Sequence, residues 1–118
     1  SGLKRVELNC NTIDSGLFNG NTSIETVIIG NSVKSIWNYA FSGCNGLTSV
    51  TIGDSVRIIG SSAFYRCLGL TDVYCYAEKV PHAEYLSMAF DGYVEYATLH
   101  VPAVSIEDTI IIHMILHP

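Results

Sequence analysis

The sequence predicts a repeat solenoid, mainly β, with short helical or 3-10 turns. Three observations carry this. First, Ile24 to Gly46 and Leu47 to Gly69 align as IETVIIGNSVKSIWNYAFSGCNG over LTSVTIGDSVRIIGSSAFYRCLG, identical in ten of 23 columns and conservative in three more. A fixed period of that length marks a stack of similar units. Second, the constant columns are mostly apolar: Ile24/Leu47, Val27/Val50, Ile29/Ile52, Val33/Val56, Ile36/Ile59, Ala40/Ala63, Phe41/Phe64 and Cys44/Cys67. Varying polar residues lie between them, as in a coil that points one set of side chains into a shared core. Third, Val50 and Ile52 alternate within the β-branched run LTSVTI, which suits a short strand with one face inward.

The chain then divides into coils in order. The first, about residues 3–23, fits the frame with two residues missing: Leu3, Val6 and Leu8 take the first apolar columns, and Ile13, Leu17 and Phe18 match later ones. Residues 24–46 and 47–69 are the two full coils. In the second of these, Gly53-Asp54 ends the strand, and Val56 to Ile59 forms the next apolar side. Gly60-Ser61-Ser62 turns again, with Ser61 or Ser62 able to cap a short helical turn through Ala63, Phe64 and Cys67. Gly69 closes the coil at a position where a positive φ is expected. Residues 70–95 start a fourth coil at Leu70, Val73 and Cys75, interrupted by Lys79-Val80-Pro81-His82. Pro81 has no N–H to donate, so a second strand is expected to break there. The frame returns three residues late at Ala89-Phe90. Tyr96, Leu99 and Val101, followed by Pro102, open a partial capping coil over 96–108. Residues 109–118, TIIIHMILHP, are apolar and atypical: either a strand or turn that covers the last coil, or a sticky edge that pairs with a second molecule. All 118 residues are read as one domain.

The pattern L-x-x-V-x-I-G/P-x-S-V-x-x-I-x-x-x-A-F-x-x-C-x-G resembles the BspA-like leucine-rich repeat. The ending ATLHVPAVSIED, Ala97 to Asp108, is similar to that family's terminal coil. The resemblance covers about Leu3 to Asp108. It implies a right-handed solenoid of 23-residue repeats in surface or secreted proteins, largely of bacteria. Members are associated with adhesion to host proteins or other cells and are not known as enzymes. The first coil departs from the pattern, with Leu17 and Asn21 in the alanine and cysteine columns. Cys75 stands where isoleucine is usual, and the tyrosine- and tryptophan-containing ending is absent after Asp108.

Composition bounds the partners. Apolar residues make up 48% and charged residues 14%, so the chain is globular. A net charge of −5 with six Lys and Arg argues against nucleic acid or an anionic membrane surface. No run of about 18 apolar residues exists to span a bilayer. Ser1-Gly2 carries neither methionine nor a signal peptide and reads as a processed terminus or expression remnant, which leaves export open. The uncapped first coil suggests a fragment of a longer array or self-association through the ends.

The cysteines, Cys10, Cys44, Cys67 and Cys75, fit no zinc spacing. Three fall in inward columns and read as small apolar core residues; a disulfide is the open alternative. The histidines, His82, His100, His113 and His117, lie in no nucleophile motif, and the acidic residues are scattered. No catalytic residue, metal ligand or cofactor is expected.

A ligand site is expected instead on the outward positions of the first strands. Arg5, Thr26, Ser49 and Asp72 form one ladder; Glu7, Ile28, Thr51, Tyr74 and His100 form its neighbour. These positions vary while the inward ones hold, as on a solenoid's binding face, though any unconstrained surface varies too. Tyrosine density late in the chain (Tyr74, Tyr76, Tyr85, Tyr93, Tyr96) adds Tyr76 to the candidates. The reading is a non-catalytic module binding an extracellular protein or carbohydrate, at a cell surface or secreted. The alternatives are a structural spacer and an accessory binding unit attached to an enzyme. An exposed aromatic on the ladder face favours binding; a uniformly small, polar face favours the spacer.

Overall fold

Alternation of β-branched residues puts one strand at the start of each coil and a shorter one on the next side. In the computed structural model, which describes residues 2–77, 89–90 and 98–100, these are β1 (Arg5–Leu8), β2 (Thr12–Ile13), β3 (Thr26–Ile29), β4 (Ser35–Ile36), β5 (Ser49–Ile52), β6 (Ile58–Ile59), β7 (Asp72–Cys75) and β8 (Thr98–His100). They form two parallel sheets, β1-β3-β5-β7-β8 and β2-β4-β6. The chain is a parallel β-solenoid. Every strand runs the same way because each coil repeats the path of the one before it.

The register places the irregularities. Val6, Val27, Val50 and Val73 lie side by side, as do Ile13, Ile36 and Ile59. Leu8 pairs with Ile29, whereas Thr12 pairs with Ser35. The two residues missing from the first coil are therefore lost just after β1. Asp72 pairs with Thr98, so the three-residue insertion of the fourth coil lies between those strands.

The constant columns make one continuous core. All the inward side chains of the two full coils are buried, together with Leu70, Val73, Cys75, Ala77, Ala89 and Phe90. The aromatic column runs through it as a stack. Ring centroids are 5.3 Å apart for Phe18–Phe41, 5.3 Å for Phe41–Phe64 and 5.0 Å for Phe64–Phe90, all within 11° of parallel. These separations follow the parallel-strand spacing of about 4.8 Å. The fourth coil thus regains register at Phe90 despite its insertion.

The third side of the coil departs from expectation. No helical turn forms through Ala63, Phe64 and Cys67, and helix among the described residues is confined to Ala89–Phe90. The reason lies in where the N–H groups point. Tyr39, Phe41 and Gly43 donate to Ser61, Ala63 and Tyr65 of the next coil at 2.7–3.2 Å, while Ala40, Ser42 and Cys44 donate three residues back, to Trp37, Tyr39 and Phe41. Gly16, Phe18 and Gly20 follow the same alternation toward Asn38, Ala40 and Ser42. A helix would turn all of these donors inward on its own chain. Spending every second one on the neighbour requires left-handed residues four apart. Those are Gly16 and Gly20, Tyr39 and Gly43, and Ser62 and Arg66, with φ between 58° and 76°. Ser62 is therefore a left-handed corner and not a helix cap.

Gly69 is likewise not a positive-φ residue; among the described residues the left-handed positions are those six. Glycine is needed there for space: a Cβ on Gly69 would stand 2.7 Å from the carbonyl oxygen of Asn45, one coil back. Two apolar matches in the first coil are exposed. Leu3 is 62% exposed and Leu17 51%, since no coil among the described residues lies beneath them.

All four cysteines are free thiols, with Cys44, Cys67 and Cys75 buried and Cys10 exposed. The Cys44 thiol donates to the Phe18 carbonyl, and Cys67 to that of Phe41, each at 3.3 Å. Asn21 fills this column in the first coil. Its Oδ1 instead accepts from the N–H groups of Ser23 and Ile24. Burial pushes the Cys44 thiol up to about 11 and Cys67 to about 12, and raises Cys75 as well. The expected strand break at Pro81, Tyr85, Tyr93, Tyr96, the Val101–Asp108 ending and the 109–118 tail lie outside the described residues.

Candidate ligand-binding face

The five-stranded sheet has one face in the core and one in solvent. Register puts Arg5, Thr26, Ser49, Asp72 and Thr98 in one row on the solvent side, and Glu7, Ile28, Thr51, Tyr74 and His100 in the next. Both expected ladders are thus brought together on one surface. The first half carries Arg5, Glu7, Thr26 and Ile28, with a loose Arg5–Glu7 ion pair at 3.8 Å between well-exposed groups. Such a pair contributes little to stability.

The late half is more ordered. The His100 ring stacks on Tyr74 with centroids 4.3 Å apart and 12° between planes. Its Nε2 lies 2.8 Å from Asp72 Oδ1, and Thr71 Oγ1 donates to Asp72 Oδ2 at 2.9 Å. The His100 contact, then the Thr71 hydroxyl, hold the Asp72 carboxyl below its usual range. Each hydrogen bond favours the ionised acid. Tyr74 and Asp72 are tied into this cluster and partly buried, whereas Tyr76 is exposed, at 45%.

Tyr76 sits just beyond β7, and the column it occupies explains what surrounds it. Extended through the register, that column reads Asn9, Gly30, Gly53, Tyr76, one residue from each coil. The two central positions have no side chain. The result is an open cavity of about 500 Å³, lined by Glu7, Asn9, Ile28, Ile29, Gly30, Asn31, Thr51, Gly53, Asp54 and Tyr76. Its floor is Gly30 and Gly53. Asn9 closes one end and Tyr76 the other. Glu7, Ile28 and Thr51 form one side, with Asn31 and Asp54 on the other. The span from Asn9 to Tyr76 is three coil steps, about 14 Å at the parallel-strand spacing.

The bare floor is enforced by packing. A Cβ on Gly53 would lie 2.6 Å from the carbonyl oxygens of both Ile29 and Gly30. A Cβ on Gly30 would run into Asn9 Oδ1 and lie 3.0 Å from the Leu8 carbonyl oxygen. Coils must approach that closely where the strand ends and the chain turns. The same closeness fixes the acid side: Asn31 Oδ1 accepts the Asp54 N–H at 3.1 Å, and Ser55 Oγ donates to Asp54 Oδ1 at 3.2 Å. Among the described residues, Asn31 Nδ2 and Asp54 Oδ2 make no such bond.

Sequence reasoning found Glu7, Ile28, Thr51 and Tyr76 of this trough and missed Asn9, Gly30, Asn31, Gly53 and Asp54. The signal was there. Gly30-Asn31 and Gly53-Asp54 recur at the coil period, but they read as turn punctuation. Only the register shows that they continue the outward rows past the strand ends. Among the described residues no cluster of three or more His, Cys, Asp or Glu side chains is placed to hold a metal ion, and no helix is long and apolar enough to cross a membrane.

A parallel sheet growing by one strand about every 23 residues, with an inward apolar column set and a variable outward face, defines a leucine-rich-repeat solenoid. The chain belongs to the BspA-type leucine-rich repeat family. The family model described as "BspA type Leucine rich repeat region (6 copies)" matches residues 3–107. Repeats of this family are typically non-catalytic and common in surface or secreted proteins. No curated protein and no solved structure matches the chain.

Proposed function

We propose that this chain is a non-catalytic binding module of a surface or secreted bacterial protein. It engages an extracellular protein or glycan through the solvent face of the five-stranded sheet, in adhesion to host or other cells. The observation that carries the reading is the exposed Tyr76 at the end of an open trough on that face. A uniformly small and polar face would favour a spacer. Here the middle rows are small (Thr26, Ser49, Thr51), but the late rows present Tyr74, His100 and Tyr76. Tyrosine gives a large amphipathic contact at low conformational cost. Family membership is in keeping with surface display.

The test is surface plasmon resonance against immobilised matrix proteins and a panel of glycans. The intact chain is compared with Thr51→Arg, which sets a long charged side chain in the centre of the face. Binding abolished by Thr51→Arg supports the reading. Binding that is indifferent to it moves the site off this face, and absence of binding to every surface favours the spacer.

A further inference from the structure

Within that binding-module reading, on which it rests, we propose that the trough between Asn9 and Tyr76 is a sugar subsite that takes an uncharged pyranose unit of a glycan chain. Four features of the trough select this ligand.

The first is the floor. Gly30 and Gly53 line the cavity without side chains of their own, packed against the preceding coil, with the Asn9 amide oxygen against Gly30, so the floor is low and polar. The second is the end wall. Among the described residues Tyr76 is the one large aromatic side chain lining the cavity, and it is exposed. A tyrosine face suits the C–H face of a pyranose, which is apolar at its centre and polar at its rim.

The third feature is the ring of acceptors and donors. Glu7, Asn9, Asn31, Thr51 and Asp54 surround the floor on three coils. The Asn31 amide is oriented by the Asp54 backbone N–H and the Asp54 carboxylate by the Ser55 hydroxyl, so both present positioned groups to vicinal hydroxyls. The fourth is charge. Among the described residues, the ionised groups lining the trough are the acids Glu7 and Asp54, with Arg5 outside the lining and 3.8 Å from Glu7. Sialylated, uronic or sulfated sugars would meet like charge from both acids, and the nearby Arg5 is already paired with Glu7.

A peptide fits less well. Strand addition needs an open sheet edge, and the strands beneath the trough, β3 and β5, are paired on both sides. Anchoring by side chains needs deep apolar pockets, and among the described residues the apolar side chains lining this one are Ile28, Ile29 and Tyr76.

Tyr76 contributes its backbone N–H to the Ile52 carbonyl at 2.9 Å, and its ring projects into solvent, so Tyr76→Ala leaves the core intact. The experiment is a glycan array with three arms, read alongside the matrix-protein panel and thermal melts of each variant. One arm carries cellobiose, laminaribiose and maltose, as in microbial and plant polysaccharides. A second carries lactose and N-acetyllactosamine, as in host glycoproteins. A third carries sialyllactose and heparin oligosaccharides. The proposal expects a hit in one of the two neutral arms, which identifies the source. It expects that hit to weaken about tenfold in Tyr76→Ala and to hold within about threefold in Tyr76→Phe, which keeps the ring.

Preference for the third arm overturns the proposal. So does neutral-sugar binding that Tyr76→Ala leaves unchanged with its melt intact. Matrix-protein binding blocked by Thr51→Arg, with every sugar silent, overturns the sugar subsite and leaves the binding module standing. Silence on all surfaces overturns both.

Discussion

Phe64 is where the repeat can be tested most sharply. It is 1% exposed, and its ring lies between Phe41 at 5.3 Å and Phe90 at 5.0 Å. Phe64→Ala removes the burial of one phenyl group, worth about 1.5–3 kcal/mol. It also breaks two stacked contacts, each adding about 0.5–1.5 kcal/mol. Neighbouring coils are held by backbone bonds on all three sides, so the void cannot collapse fully. The expected loss is therefore about 4–5 kcal/mol, the upper part of the usual range for Phe→Ala. Phe18 provides the internal control: it is half-buried and stacks on one described ring, that of Phe41. Phe18→Ala should lose about half as much. Urea titration followed by far-UV circular dichroism and by fluorescence of Trp37, the single tryptophan, measures both variants. Equal losses at Phe18 and Phe64, or an unchanged midpoint for Phe64→Ala, would refute the stacked-column account. Trp37 lies one coil below Phe64, so transitions that differ between the two probes would show coils melting separately.

Two further outcomes follow from local geometry. Arg66 holds φ at 59° in the column where Gly43 and Gly20 stand. A side chain there costs about 1–2 kcal/mol, partly offset by the extra freedom glycine brings to the unfolded chain. Arg66→Gly should raise stability by about 0.5–1 kcal/mol in the same urea assay; a loss would mean that the Arg66 side chain makes a compensating contact. For the thiols, a chromogenic disulfide reagent at neutral pH should modify Cys10 alone in the folded state and all four cysteines in urea. The Cys44 and Cys67 thiols, raised to about 11 and about 12 from 9.0, also set an alkaline limit. The unfolded chain releases these protons first, so their contribution is complete below about pH 9 and is lost as pH rises toward 12. A melting temperature flat from pH 8 to pH 11 would count against burial of both thiols.

The inward half of this fold was legible because it is written twice. Val27 and Val50, Phe41 and Phe64, and Cys44 and Cys67 can be aligned by eye, and identical apolar residues at a fixed period leave few places to point except a common axis. Even the slipped register at Phe90 could be read, since Ala89-Phe90 preserves the dipeptide. The third side was not legible. Whether Phe41 donates its N–H to its own turn or to Ala63 of the next coil depends on the coil above, and a window of one coil holds no trace of that choice. Ser62 looked like a cap because serine caps helices in isolation, whereas here its backbone must turn left-handed. Gly69 was assigned the usual reason for a conserved-looking glycine, conformational freedom, when the operative one was crowding. The candidate face was half legible: the ladders came from strand alternation, but the trough lies past the strand ends, where alternation continues without β structure to announce it.

The two bare glycines of the trough come one from each full coil, and that arrangement makes the site's length a matter of gene arithmetic. A tandem duplication of the 23 codons for Ile24 to Gly46 would insert a coil that stacks on either neighbour without a seam. It would carry its own Val-Ile strand, its own phenyl ring and its own glycine. The inner columns would register no change. The outer surface would gain one more bare step between Asn9 and the tyrosine at the far end, about 4.8 Å of added reach. Loss of one such unit would shorten the trough by the same amount. Gain or loss of repeats would therefore lengthen or shorten the trough in whole steps, while the interior is left as it was.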